Sequence, residues 1–176
     1  FLEGGSIVYI CDVDAAALTE AASTSEEATS DCGILHCVKA DVSCYADVQR
    51  FFAQIEVEQG HLDVLVNNAG RSIRRSLELT FDRFHDFERT MQLNYFGAIR
   101  LVMGLAPSML ERKSGHVINI SSIAVIVGTS PRFSAYAASK SALDAWSRSA
   151  AAEFSDRNIA FTTINMPLVR TPMIAP

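Results

Sequence analysis

A chain of 176 residues, 49% hydrophobic and 20% charged, can bury a sizeable core and is too apolar to stay disordered. Its formal net charge of −5 gives no electrostatic footing for nucleic acid. The apolar run "AIRLVMGLAPSML" is broken by Arg100 and Pro107 and is too short to span a bilayer, so no transmembrane segment is expected. No charged-then-apolar leader opens the chain, and a cytoplasmic protein is the expectation.

Short β-branched runs alternate with helical patterns. "SIVYICD" (6–12) reads as a strand, "DAAALTEAAST" as a helix and "LHCVKAD" (35–41) as a second strand. "YADVQRFFAQIEVEQG" then reads as a helix and "LDVLVNNAG" (62–70) as a third strand. A long helical stretch from Thr80 to Lys113 precedes "HVINISS" (116–122); Ala135–Ser155 is a helix before "AFTTINMP" (160–167). This order predicts an α/β chain with a doubly wound parallel sheet, read as one domain over 1–176. Cys11, Cys32, Cys37 and Cys44 form no C-x-x-C pair. His36 beside Cys37 lacks a fourth ligand at zinc spacing, so no metal is assigned and the thiols read as inert and buried.

In such sheets ligands bind beyond the carboxyl ends of the strands. Asp12, Asp41-Val42, Asn67-Asn68-Ala69-Gly70, Ser121-Ser122 and Thr171 occupy those positions. Asp12 or Asp14 is also placed to cap the following helix. Tyr136 and Lys140, in "SAYAASKSAL", stand four apart and share one helix face.

Tyr136–Lys140, the serines of "HVINISS", "NNAG" and Asn94 in "NYFG" together resemble the short-chain dehydrogenase/reductase family along the whole chain. The resemblance implies a Rossmann-like fold and a hydride transfer between a nicotinamide and a carbonyl or alcohol. Tyr136 is then the acid/base, and Lys140 favours its phenolate and holds the nicotinamide ribose. Ser122 holds the substrate oxygen, with Ser121 as the fallback, because the loop before Tyr136 is one residue longer than usual. Asn94 anchors a proton-relaying water. Asp41 and Val42 flank the adenine, Asn68, Ala69 and Gly70 the adenosine ribose, and Val169 and Thr171 the carboxamide. Met166-Pro167 replaces the family's Pro-Gly.

The family's glycine-rich T-G-x-x-x-G-x-G turn is not in the chain, which opens at "FLEGGSIVYICD". The resemblance therefore implies a partial domain lacking its first strand and its C-terminal segment, and a non-catalytic binding or dimerisation module is the alternative reading. "NNAGRSIRRS", "FDRFHDFERTMQLNYFGAIRLV" and "MPLVRTPMIAP" are similar to the bacterial fatty acyl-CoA reductase subgroup. That subgroup implies an acyl-CoA or fatty aldehyde substrate and NADP(H); against it, the family resemblance puts the carboxylate of Asp12 at the adenosine ribose 2′-OH, where it repels a 2′-phosphate and favours NAD(H). Arg71, Arg74 and Arg75 could meet coenzyme A phosphates or form a solvated loop. Phe81, Phe84 and Met91 are expected in the core. His85 and His116 have no evident partners. The family's habit implies a homodimer or homotetramer, with Trp146 either at the interface or buried within the monomer.

Overall fold

The computed structural model describes residues 1–28 and 33–169. The chain divides into two compact units, Phe1–Gly60 and the residues from His61 onward.

In the first unit, β1 (Ile7–Asp12) and β2 (Ile34–Lys39) pair in parallel, from Ile7 opposite Ile34 to Asp12 opposite Lys39. The crossover is α1 (Ala15–Ala28), as a parallel pair requires. Asp14 starts it, its Oδ1 accepting the Ala16 and Ala17 N–H groups at 2.9 and 3.3 Å. Helix α2 (Tyr45–Gln59) buries Val48, Phe51 and Ile55, each contributing about 1.5–3 kcal/mol on full burial. Gly60 closes it in the left-handed region at φ 74°, where a side chain would be strained. His36 stacks on Tyr9, with ring centroids 4.3 Å apart, so its ring is a packing element. Of the cysteines, Cys44 is exposed, correcting the expectation of buried thiols; Cys32 lies outside the described residues.

The second unit holds a parallel sheet ordered β3 (Val64–Asn67), β4 (Gly115–Ser122) and β5 (Ile159–Met166). Hydrogen bonding thus groups the five parallel strands into two sheets. β3 is shorter than the sequence suggests, because Asn68, Ala69 and Gly70 leave the ladder as a loop. The long helical stretch is α3 (Phe84–Met91), a π-helical turn over Gln92–Gly97, and α4 (Ala98–Arg112). Its 29 residues have the length of a bilayer span, and an 18-residue window within them reaches a mean hydropathy of 1.2, yet α4 buries Leu101, Val102, Leu105 and Met109 within the protein. A short helix unforeseen in the sequence, α5 (Ile123–Val127), follows β4, and α6 (Ser134–Glu153) leads to β5.

Phe81 and Phe84 are 83% and 71% exposed, against the expectation that they are core. The buried stripe is polar instead: Asp86, Thr90 and Asn94. Each of these side chains has its own hydrogen bonds, so burial does not leave it orphaned. His116 Nε2 lies 2.8 Å from Thr162 Oγ1 and so does have a partner. Trp146 is half-buried and meets Phe161 edge-on.

A buried polar chain fixes the site-bearing helix to the sheet. Asn67 Nδ2 donates to Asn119 Oδ1 and Asn119 Nδ2 to Ser147 Oγ, both at 2.8 Å; Ser147 Oγ–H donates to Leu143 O at 2.6 Å. β3, β4 and α6 are thereby joined by one run of buried hydrogen bonds, with Asn67 Oδ1 left without a partner among the described residues. Asn119→Ala strands the amide of Asn67 and removes an acceptor-side partner of Ser147. It is expected to lower stability by about 1–3 kcal/mol in urea unfolding; an unchanged midpoint would show that the chain carries no stability.

Candidate active site

Helix α6 carries both central groups. Ala135, Ser139, Lys140 and Leu143 are buried along it, and Tyr136 is half-buried. The small side chains of Ala135 and Ser139 let the helix pack closely, which is how a lysine comes to be only 4% exposed.

Lys140 Nζ donates to the carbonyl of Ile120 in β4 at 2.7 Å. No carboxylate pairs with it among the described residues, and burial pushes its pKa down from the ordinary 10.5 to about 8. One protein acceptor leaves two of its three N–H donors for something else. A Cβ added to Gly70 would lie 3.2 Å from Asn94 Oδ1 and 3.4 Å from Lys140 Nζ. Glycine there leaves room for both groups.

Asn94, 1% exposed in the π-helical turn, spends its whole side chain on structure. Its Oδ1 accepts the Arg71 N–H at 2.8 Å, and its Nδ2 donates to Arg71 O and to Ser139 Oγ, both at 2.9 Å. Ser139 in turn donates to the carbonyl of Tyr136 at 2.7 Å. Ser139 thus joins the loop after β3, the π-helical turn and the Tyr136 turn of α6. The sequence marked it only as a small residue, since its decisive partner lies 45 positions away. The sole hint was a hydroxyl on the buried face of the Tyr136–Lys140 helix.

Ser122, 9% exposed, ends β4 and caps α5 by accepting the Ala124 N–H at 3.2 Å. A hydroxyl that accepts one bond keeps its own hydrogen to donate. Ser121 is 3% exposed and its Oγ has no partner among the described residues. The Tyr136 hydroxyl also has no hydrogen-bond partner among the described residues. Asn68 and Ala69 are exposed beyond β3, and Val169 is 44% exposed beyond β5. Thr171 lies outside the described residues.

In the first unit, Asp12 is exposed at the end of β1. Its Oδ1 accepts the Asp14 N–H at 2.9 Å, while Asp14 does the capping. Asp41 Oδ1 accepts the N–H and hydroxyl of Ser43 at 2.8 and 2.6 Å, and Val42 is buried. The Asp41 N–H donates to Asp47 Oδ2 at 3.0 Å, the main cause holding the Asp47 carboxyl below its ordinary value.

A nicotinamide ribose fits what the second unit offers: a donor-rich ammonium beside a glycine, with no carboxylate partner among the described residues. The short chain dehydrogenase family model matches residues 1–176. The fatty acyl-CoA reductase of Acinetobacter baylyi is 53% identical over 159 residues, covering 90% of this chain and 52% of that protein. A fatty acyl-CoA reductase of Mycobacterium tuberculosis is 45% identical over 154 residues, 88% of this chain and 52% of its own length. A metagenomic short-chain oxidoreductase solved with NADP superposes at TM-score 0.82 and 26% identity, over 90% of this chain and 70% of that one. The chain spans about half the length of these curated relatives.

The depressed Lys140 pKa has a consequence for stability. Below pH 8 the ammonium is charged both folded and unfolded, and the folded state bears the full cost of burying it. Between about 8 and 10.5 only the unfolded state holds the proton, so raising the pH relieves that cost. Lys140→Met abolishes this dependence. The stability of the wild type relative to the variant is expected to rise by about 3 kcal/mol from pH 7.5 to 10.5, measured by urea unfolding. A flat difference would mean the lysine is solvated.

Proposed function

The chain belongs to the short-chain dehydrogenase family, and on that premise we propose that it is a nicotinamide-dependent oxidoreductase acting on a fatty acyl thioester or fatty aldehyde. The observation that carries this reading is the buried Lys140, without a counter-ion, four residues from a Tyr136 hydroxyl that no described group engages.

A bound nicotinamide would supply or accept the hydride. The chain's own residues manage the oxygen and the proton. Ser122 donates its hydroxyl hydrogen to the substrate oxygen, its lone pair being held by the Ala124 N–H, which orients the group. Tyr136 donates a proton to the oxygen as negative charge develops there and recovers it in the reverse direction. The Lys140 ammonium favours phenolate on Tyr136, and its two remaining N–H groups bind ribose hydroxyls. Asn94 holds the Arg71 loop and Ser139 with its side chain, so a relay water falls to its backbone carbonyl.

The family resemblance assigns nucleotide contacts to Asn68, Ala69, Gly70, Val169 and Thr171, and separately to Asp12, Asp41 and Val42 of the first unit. Asp12 supports NAD(H), since Asp14 does the capping and Asp12 keeps a carboxylate oxygen for a ribose 2′-OH. NADP(H) has its support in the metagenomic relative solved with that cofactor. We read both units as one cofactor-binding and catalytic domain, working in the cytoplasm as a homodimer or homotetramer.

In the complete protein, Tyr136→Phe is expected to lower carbonyl-dependent oxidation of reduced cofactor by about 10²-fold or more. Retained wild-type turnover contradicts the role given to Tyr136. Asp12→Ala is expected to shift the kcat/KM ratio of NADH to NADPH towards NADPH. An unchanged ratio makes Asp12 a turn residue only.

A further inference from the structure

Three arginines surround a single carboxylate on the helical run that leads to Asn94. Asp86 is 2% exposed. Arg83 Nε donates to its Oδ2 at 2.9 Å, and Arg89 donates to its Oδ1. The Arg83 hydrogen bond is the main cause holding the carboxyl down at about 2, with Arg89 adding to it, so Asp86 is anionic at any working pH. These two bonds satisfy it.

Arg75 is surplus to that need. Its Nε stands 3.6 Å from Asp86 Oδ2, makes no hydrogen bond and is buried. His85, which the sequence left without a partner, adds Nε2 at 3.4 Å. Three permanent positive charges therefore face one negative charge, leaving an excess of two before His85 is counted. Among the described residues neither Glu78, Asp82 nor Glu88 pairs with these arginines. The three side chains remain 34 to 52% exposed, so unused N–H groups face solvent. Like charges gathered this closely repel, and a multivalent anion bridging their outer N–H groups removes the repulsion.

The cluster is joined to the active site. The Arg75 N–H donates to Arg132 O at 2.7 Å, tying its loop to the one that enters the Tyr136 helix. Arg132 is exposed and without an ion pair among the described residues. Asp86 precedes Asn94 by just over two helical turns, a rise of about 12 Å. The cluster thus lies on the same helical run as Asn94 but removed from it.

We propose that Arg75, Arg83 and Arg89, gathered by Asp86, form a subsite for the phosphate groups at the carrier end of an acyl thioester substrate. The subsite rests on the acyl thioester reading above. Guanidinium forks match phosphate oxygens in pairs, which suits a carrier bearing several phosphates.

The test is calorimetric titration of the intact protein at low ionic strength with two probes, free coenzyme A and NADPH. Arg75→Gln removes one charge while leaving both hydrogen bonds to Asp86, so the fold is kept. It is expected to weaken coenzyme A binding about tenfold and to leave NADPH binding unchanged, with Arg75→Lys restoring part of the loss. No coenzyme A binding by the wild type, or equal binding by Arg75→Gln, overturns the subsite and leaves the arginines as Asp86's lock. Weakened NADPH binding with coenzyme A unaffected overturns it too, because the cluster would then serve a cofactor phosphate. The titration needs no turnover. Coenzyme A binding that depends on Arg75 in a protein without reductase activity would sink the oxidoreductase reading alone, and aldehyde reduction without coenzyme A binding would sink the subsite alone.

Discussion

The site depends on a lysine held in the protein interior with a carbonyl for company and no anion among the described residues. Burying an ammonium is unfavourable unless something compensates, and a carboxylate partner would be the usual remedy. Here the compensation is one bond to Ile120 O, and the remainder appears as the fall in pKa to about 8. A carboxylate would stabilise the fold but would neutralise the charge. Without it the ammonium stays available to a phenolate and to sugar hydroxyls, and it titrates near the pH at which proton transfer is efficient.

A connected set of buried hydrogen bonds holds the helix of Lys140 in place. The chain Asn67–Asn119–Ser147 ties helix α6 to the sheet, and the Asn94 clamp ties the loop after β3 to the same helix through Ser139. Gly70 leaves the space in which Asn94 and Lys140 approach the loop. The π-helical turn over Gln92–Gly97 changes the register between α3 and α4 where Asn94 must face inward. At the reacting end Tyr136 and Ser122 keep hydrogens to donate.

Local patterns were legible in the sequence where local physics decides them. Four strands are placed within about two residues at most ends, because fully apolar β-branched runs bounded by polar residues have few alternatives. The exception is the third, where "NNAG" continues the run but its residues turn out of the ladder. Tyr136–Lys140 was visible because four residues are about one helical turn. The tertiary features were not. Ser139 acquires its role from Asn94, and Asp86 looks like an ordinary surface acid until Arg75, Arg83 and Arg89 close over it. Phe84 misled for the same reason: helical spacing identifies a face, but in α3 the buried face is the polar one, satisfied by bonds that spacing does not reveal. Phe81 lies in the turn before α3, where helical spacing does not apply. "IAVIV" has the composition of a strand, yet the Ser122 cap turns it into helix α5.

The central claim is that Lys140 is a buried ammonium without a counter-ion, and titrating its Nζ directly tests it. With lysine labelled at the side-chain nitrogen and the Lys140 signal assigned by its loss in Lys140→Arg, NMR titration should give a midpoint near 8, against an ordinary value of 10.5. A midpoint at or above the ordinary value would contradict the account, because it would mean that the charge is solvated or paired and that the site is not built to hold it free.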